Sequence, residues 1–541
     1  MTTSMTLRRR SFLATAGAGG LAATLAAALA PPLSRPAIAQ PARVLKAVPQ
    51  ANLTSIDPIW TTANITRNYG HMVYDTLYGI DQQFVAQPQT AAGHLVEDDG
   101  RRITITLRDG LMFHDGTPVR AADAAQSIRR WTARTAYGLK LKYVLDEISA
   151  PDDKRIVLRL KKPFPLLFQG LGQVSGACFI MPERVAQTDA FKPIDDATGS
   201  GPFSFKKNEF NSGSLIVFER NARYVPVASG PVSLIAGPKV VHFDRVEWQI
   251  ITDAATAAAA VQQGEIDWFE QPPPEIQELL ACNRNISIAL IDKLPLGAVM
   301  RLNHLHPPFN DKKIRQALLP AIEQSDYMSA VVGTDPANFR AGVGVFTPDT
   351  PLVNTAGMEA LTSPRSIDRA KALLREAGYT NQPMRLIGPT DILAPAALTQ
   401  VAADMFRRLG MNMDFALSDW GTVIQRRTSR EPVEKGGWSV LCTASSSFDQ
   451  ADPAAHSMIR GNGAAGWPGW PSIPRLEDLR NAWFDAPSLD AQRAIAADIQ
   501  RVALDEVSYI PLGSYYGKTA LRRNLTGRVP GLMLLWNLRR A

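Results

Sequence analysis

The stretch Leu107 to Trp131, LRDGLMFHDGTPVRAADAAQSIRRW, constrains the fold more than any other part of the chain. It reads as the end of a strand, a tight turn at Asp109-Gly110, a short second strand, a turn at Asp115-Gly116, and a helix. Asp-Gly suits such turns because glycine takes positive φ without a Cβ clash and aspartate hydrogen-bonds its own turn. Pro118 closes the loop, and Ala124, Ile128 and Trp131 recur on one helical face. Upstream, Ile103 to Leu107 alternates apolar and polar side chains, as a half-buried strand should. No group here is set up for catalysis. The segment reads as scaffold.

Further along, the pattern becomes β-α-β. A strand at Val246 to Ile251 precedes a helix at Ala254 to Gln263, with Gly264 placed as its terminator and Ile266-Asp267-Trp268 beyond it. In the second half Ser366 caps a helix carrying Ile367, Ala370, Leu373, Leu374 and Ala377 on one stripe, ended by Gly378. A strand at Met384 to Ile387, a helix from about Pro395 to Leu409 ended by Gly410, and a strand at Asn412 to Leu417 follow. That order predicts a second α/β lobe with its own sheet. Near the start, Asn52 to Pro58 is a loop, followed by a helix expected to end near Tyr78-Gly79.

The first 39 residues read as an export signal rather than as fold. Arg8-Arg9-Arg10-Ser11-Phe12-Leu13 supplies a twin-arginine n-region, Ala14 to Ala30 a short apolar run, and Ala37-Ile38-Ala39 a cleavage site before Gln40. A periplasmic location, with cleavage near Ala39, is the expectation. The net charge of +7 then falls to +3, because Arg8, Arg9, Arg10 and Arg35 precede Gln40 and no acidic residue does. A balance that small points away from nucleic acid and membrane surfaces as partners. The remaining chain, roughly five hundred residues, is too long for one core, and none of its apolar runs is long and charge-free enough to span a bilayer. Cys178, Cys282 and Cys442 are scattered, with no spacing for a metal cluster or a disulfide framework, and read as small buried thiols.

Chemistry-bearing patterns are sparse. No HExxH, G-x-S-x-G or Walker-type loop is present. His304-Leu305-His306 is the tightest histidine cluster, but Pro307-Pro308 follows and no carboxylate or cysteine has ligand spacing, so a structural role is expected; the same holds for His71 and His114. Asp449 and Asp452 are paired carboxylates suited to acid–base work, yet without a nucleophile or metal they read as ligand-anchoring or turn-forming. Among the aromatics of the second half, Trp467-Pro468-Gly469-Trp470-Pro471 stands apart, because a Gly/Pro loop does not bury two indoles easily. Its rings either join the core or stack on a ligand.

The Leu107 to Trp131 segment closely resembles one shared by the extracytoplasmic solute-binding proteins of family 5, which serve peptide, nickel and opine ABC importers. Matching stretches are Met72 to Ile80, Met181 to Val185, Thr198 to Phe205, Gly264 to Asp267, Arg301 to Gln316 and Asp368 to Tyr379, in the family's order. The resemblance implies an α/β, two-lobed periplasmic binding protein fold (cluster C-like) with an extra domain inserted into the first lobe. On that layout lobe 1 comprises residues 40–78, 199–295 and 506–541, the insertion 79–198, and lobe 2 residues 296–505. Crossing strands near Leu294 to Asn303 and Ser508 to Ser514 form the hinge about which the lobes close.

The resemblance also implies a non-enzymatic importer subunit without cofactor or metal, a monomeric state, and an ABC permease and ATPase complex as partner. Its cargo is a short peptide or amine-bearing solute, with a nickel- or haem-type carrier, or a hydrolase using Asp449 and Asp452, as alternatives. In peptide-binding members an Asp before an acidic-Pro pair holds the ligand's α-amino group, and Asp449 stands in that place here. Where dipeptide binders carry an Arg for the ligand carboxylate, this chain has Gly388-Pro389-Thr390-Asp391. Asp391 beside Asp449 then favours a cationic ligand. Thr390, Phe448, Trp467, Trp470 and Asn64 complete the expected contacts.

Overall fold

The computed structural model describes residues 43–541. The expected signal over residues 1–39 lies outside the described residues. Three sheets organise the chain. The first has seven strands, in the order Phe203–Phe205, Leu215–Arg220, Arg245–Gln249, Val44–Val48, Trp268–Phe269, Lys518–Arg522, Ile286–Leu290. Its helix Ala254–Gln263 starts on Asp253, which accepts the Thr256 N–H, and stops at Gly264 with φ 83°. The strands on either side of that helix are not neighbours. Val44–Val48 lies between them and runs parallel to both.

The second sheet has six strands: Phe339–Arg340, Ile510–Tyr515, Leu296–Leu302, Val440–Ser445, Met384–Pro389, Met413–Ser418. Met384–Pro389 and Met413–Ser418 are parallel and joined by the helix Leu393–Leu409, ended at Gly410 with φ 74°. The helix Ile367–Glu376 carries the expected Ser366 cap and buries Ala370 and Leu374.

A third, antiparallel sheet of four strands, Ala91–Glu97, Arg102–Leu107, Arg155–Leu160 and Leu145–Ser149, carries the segment that began the sequence reading. Gly110 and Gly116 both take positive φ. The second strand expected there is reduced to a single bridge between Met112 and Pro118. The helix Ala121–Trp131 buries Ala124, Ile128 and Trp131 completely, and the Trp131 indole N–H donates to the Gly176 carbonyl at 2.7 Å.

Two readings need correction. The early helix is Asn64–Val73 and does not reach Tyr78. From Tyr74 the backbone is extended, because Asp75–Thr76 pairs with Phe179–Ile180 and the Asp75 carboxylate is drawn to buried Lys239 at 2.8 Å. Ile510–Tyr515, grouped by sequence with the first lobe, is hydrogen-bonded inside the second sheet against Leu296–Leu302. The chain therefore passes between the two large sheets through residues 291–295 and 516–517, and the Ile291 N–H donates to the Gly517 carbonyl at 2.8 Å where the passages meet. No helix among the described residues is long and apolar enough to cross a membrane.

Candidate functional site

A cavity of about 320 Å³ is lined from both large sheets and from the third-sheet region. Gln50 and Gln271 reach it just past the carboxyl ends of Val44–Val48 and Trp268–Phe269, where open α/β sheets place their ligands. Asn64 and Arg67 come from the first helix, Arg134 and Gln173 from the third-sheet region, and Leu296, Thr443 and Tyr515 from the second sheet. The volume is that of a small-solute site.

The loop Pro58 to Ala63, which forms one wall, is held by a buried ion pair. Arg130, on the helix of the third-sheet region, donates through Nη1 and Nη2 to the two oxygens of Asp57 at 3.2 and 2.6 Å. Asp57 also accepts the N–H groups of Ile59, Trp60 and Ile194, and Arg130 donates to the carbonyls of Thr188 and Lys192. Every charge in the pair is met by hydrogen bonds, the condition under which a buried pair is tolerated. The segment Leu107 to Trp131 thus bears on the site after all. It supplies the arginine that fixes the wall.

On the facing side, Asp449 is half-buried and its Oδ2 accepts the Ser446 N–H at 3.2 Å, closing a capping box on a short helical turn. Arg67 Nη1 donates to Ser446 Oγ and to Ser175 Oγ, both at 3.1 Å, so one guanidinium ties the first helix to the third-sheet region and to the second sheet's loop. Burial pulls the Arg67 pKa down, while the charges of Asp449 and Glu270 oppose that shift. Behind it, Glu270 accepts the Gln50 N–H at 2.7 Å and an Asn68 amide hydrogen at 3.4 Å; burial pushes its carboxyl up to about 7.

The structure divides the expected contacts. Asn64, Asp449 and Trp467 line the cavity. Trp470 does not: it is buried against Trp438, ring centroids 6.1 Å apart. Phe448 packs into a separate apolar cluster beside Phe84. Thr390 and Asp391 are exposed, and Asp391 Oδ1 accepts the Trp420 N–H at 2.8 Å instead of facing Asp449. The expected pair of carboxylates is therefore not assembled. The wall carries Asp449 alone against four arginines, Arg67, Arg134, Arg427 and Arg460. Sequence reasoning passed over these, because a lone arginine in or beside a helix looks like ordinary solvated charge.

Several other residues have structural work. Asp452 is half-buried, accepting the N–H groups of Ala454 and Ala455 and the Tyr137 hydroxyl. His71 donates to the Val174 carbonyl, and burial pushes its pKa down to about 3. His304 is half-buried with its Nε2 enclosed, whereas His306 is hydrogen-bonded to the Arg430 carbonyl at 2.7 Å. Among the described residues no group of three or more His, Cys, Asp or Glu is placed to hold a metal ion. All three cysteines are free; Cys178 and Cys442 are buried, and Cys282 is exposed, contrary to expectation.

Two sheets joined by two passages, with a cavity between them, define a two-lobed periplasmic-type binding protein. The same fold occurs in the binding protein AgaA from A. tumefaciens R10 in complex with agropinic acid (TM-score 0.77, 18% identity, covering 92% of this chain and 99% of that one). It also occurs in a dipeptide binding protein from Pseudoalteromonas sp. SM9913 in complex with Met-Leu (TM-score 0.75, 21% identity, 92% and 100% covered). Residues 85–466 match the model of bacterial extracellular solute-binding proteins, family 5, and the chain belongs to that family. It is 34% identical over 99% of its length, and 100% of the relative's, to a probable peptide ABC transporter periplasmic-binding protein, y4tO, of Sinorhizobium fredii. A glutathione-binding protein, GsiB, of Escherichia coli K12 is 27% identical over 61% of this chain and 60% of its own. The chain is accordingly an extracytoplasmic substrate-binding component of the ABC importer class and not an enzyme.

Proposed function

We propose that the cavity between the sheets is the solute site, and that the chain captures there a small peptide or related amine-bearing solute for delivery to an inner-membrane ABC permease. The half-buried Asp449 carboxylate carries this reading. Its Oδ2 accepts the Ser446 N–H, Oδ1 has no hydrogen bond within the chain, and the residue lines the cavity where a ligand ammonium would be met. Asn64 and Trp467 line the same space, supplying an amide and a flat apolar face. The lobes close about residues 291–295 and 516–517, lobe 1 being residues 40–78, 199–295 and the tail after 516, with residues 79–198 inserted. Twin-arginine export and a monomeric state complete the proposal.

A thermal-shift screen of the exported chain with di- and tripeptides, their N-acetyl forms and simple amines tests it, since a solute that binds only the folded state raises the melting temperature. Peptides with a free amino group are expected to stabilise, N-acetylation to weaken binding, and Asp449→Asn to lose about tenfold or more in affinity, the worth of a charge-assisted hydrogen bond. Unchanged affinity in Asp449→Asn would remove the amino-anchor role.

A further inference from the structure

The third-sheet region meets its two neighbours in different ways. It is joined to the Asp57 loop by the buried Arg130–Asp57 pair. It is joined to the second-sheet lobe through Phe484 and Asp485, at the end of the helix Pro474–Phe484. Lys140 Nζ lies 3.2 Å from Asp485 Oδ1, and Lys162 Nζ lies 3.1 Å from Asp485 Oδ2. Lys140 is on the helix Ala136–Val144 and Lys162 follows the strand Arg155–Leu160. Beside these ion pairs Phe484 is buried between Tyr137 and Phe164, ring centroids 5.5 and 6.1 Å away, with the Lys140 ammonium 5.4 Å from its own centroid. The Tyr137 hydroxyl adds a hydrogen bond to Asp452 Oδ2 at 3.2 Å.

The two joints differ in the water that reaches them. Asp485 keeps 46% of its side chain exposed and Lys162 44%, so their ion pairs are screened and weak. Phe484 supplies the adhesion, as one aromatic ring taken out of water. A joint of this make can part without stranding a buried charge, which Arg130 and Asp57 cannot. Its place matters as much as its strength. Thr135 and Ala136, where the Lys140 helix begins, line the cavity, and Ala454 and Ala455 line it from the second-sheet lobe. Lys140 lies one helical turn behind that wall. Lys140, Lys162, Phe484 and Asp485 themselves do not line the cavity.

We propose that Phe484 and Asp485 form a clasp that shuts the second-sheet lobe against the third-sheet region over a captured solute, so that two residues that never touch the solute set how long it is retained. This rests on the reading that the lobes close about residues 291–295 and 516–517. The third-sheet region stays with the first lobe through Arg130 and Asp57, the second-sheet lobe swings, and the clasp gives the shut arrangement contacts that the open one lacks. Apparent affinity scales with the fraction of molecules that are shut, so a clasp raises it without a contact to the solute. The gain falls on the release rate, because the ion pairs and Phe484 must part before the solute leaves.

The test follows release of Ala-Ala-Ala from the exported chain by stopped-flow tryptophan fluorescence, in wild type, Asp485→Ala and Asp485→Glu, at about 20 and about 300 mM NaCl. Asp485→Ala is expected to release the tripeptide about three- to tenfold faster, with an association rate within about twofold of wild type. Asp485→Glu should recover most of the difference, and added salt should speed release from wild type but not from Asp485→Ala. Hydrogen exchange in the helices Ala136–Val144 and Pro474–Phe484 should slow when the tripeptide is added to wild type. Equal release rates in wild type and Asp485→Ala overturn the clasp. So does exchange that the tripeptide leaves unchanged in both helices, since the contact would then be a permanent joint. If Ala-Ala-Ala does not bind, the peptide reading fails by itself and small-angle scattering of the solute-free chain judges the clasp. A larger radius of gyration in Asp485→Ala than in wild type then supports it, and an equal radius overturns it.

Discussion

Arg130 is buried and Arg427 half-buried, in two regions of the molecule, and what meets the two guanidiniums is opposite. At the seam between the third sheet's helix and the Asp57 loop, Arg130 finds both oxygens of a buried carboxylate and two backbone carbonyls. On the cavity wall, Arg427 finds an aromatic face and leaves its Nε without a partner. A buried guanidinium whose donors are satisfied within the chain belongs to folding stability. One whose donors are left open contributes less to it. Arg67 stands between them, hydrogen-bonded to two serines yet lying between the charges of Asp449 and Glu270.

The largest expected effect falls on the seam. Arg130→Met strands the Asp57 carboxylate in the interior and should cost about 3–5 kcal/mol, measured as a lower urea midpoint at unchanged slope. A loss below about 1 kcal/mol would show that the seam is not what holds the wall.

Next in size is the pH dependence near Arg67. Glu270 has a folded pKa of about 7 against 4.5 for the free side chain, so the folded state binds its proton more tightly than the unfolded state does. Its contribution to stability is then favourable at low pH and is lost as pH rises from 4.5 through about 7. Glu270→Gln should match wild type near pH 4 and exceed it above pH 7 by about 3 kcal/mol. A difference that stays flat across that window would mean Arg67 already compensates the carboxylate.

On the cavity side the sign should reverse. Arg427→Met removes a half-buried guanidinium that makes no hydrogen bond to the chain, so the ligand-free protein should be more stable by about 1 kcal/mol. A ligand-free variant less stable than wild type would place Arg427 with Arg130 and erase the contrast. Smallest of all, Asp391→Ala deletes one exposed cap on the Trp420 N–H; about 0.5–1 kcal/mol of stability should go and ligand affinity should not move. An affinity change there would return Asp391 to the site.

Much of the scaffold is legible in the local chain because it follows from nearest-neighbour chemistry. Gly264 and Gly410 end their helices in left-handed backbone, Ser366 caps, and Ala124, Ile128 and Trp131 bury one stripe. The early helix is overrun because nothing local stops it at Val73; the pairing of Asp75–Thr76 with residues a hundred positions later does. Ile510–Tyr515 and Trp470 fail for the same reason. Their neighbours, Leu296–Leu302 and Trp438, are distant in sequence, and an apolar run or an indole in a Gly/Pro loop does not reveal which surface will cover it.

By itself, the amino-acid order determined that two α/β units with their own sheets are present, since strand and helix periods and their terminating residues are short-range properties, and the order of its matching segments carried the resemblance to the family. It also placed Asp449, Asn64 and Trp467 among the candidates. Only the tertiary structure decided the charge of the cavity. Whether an arginine is paired, as Arg130 is with Asp57, or open, as Arg427 is on Trp467, depends on groups brought together across many tens of residues, and burial multiplies that difference because no water remains to level it.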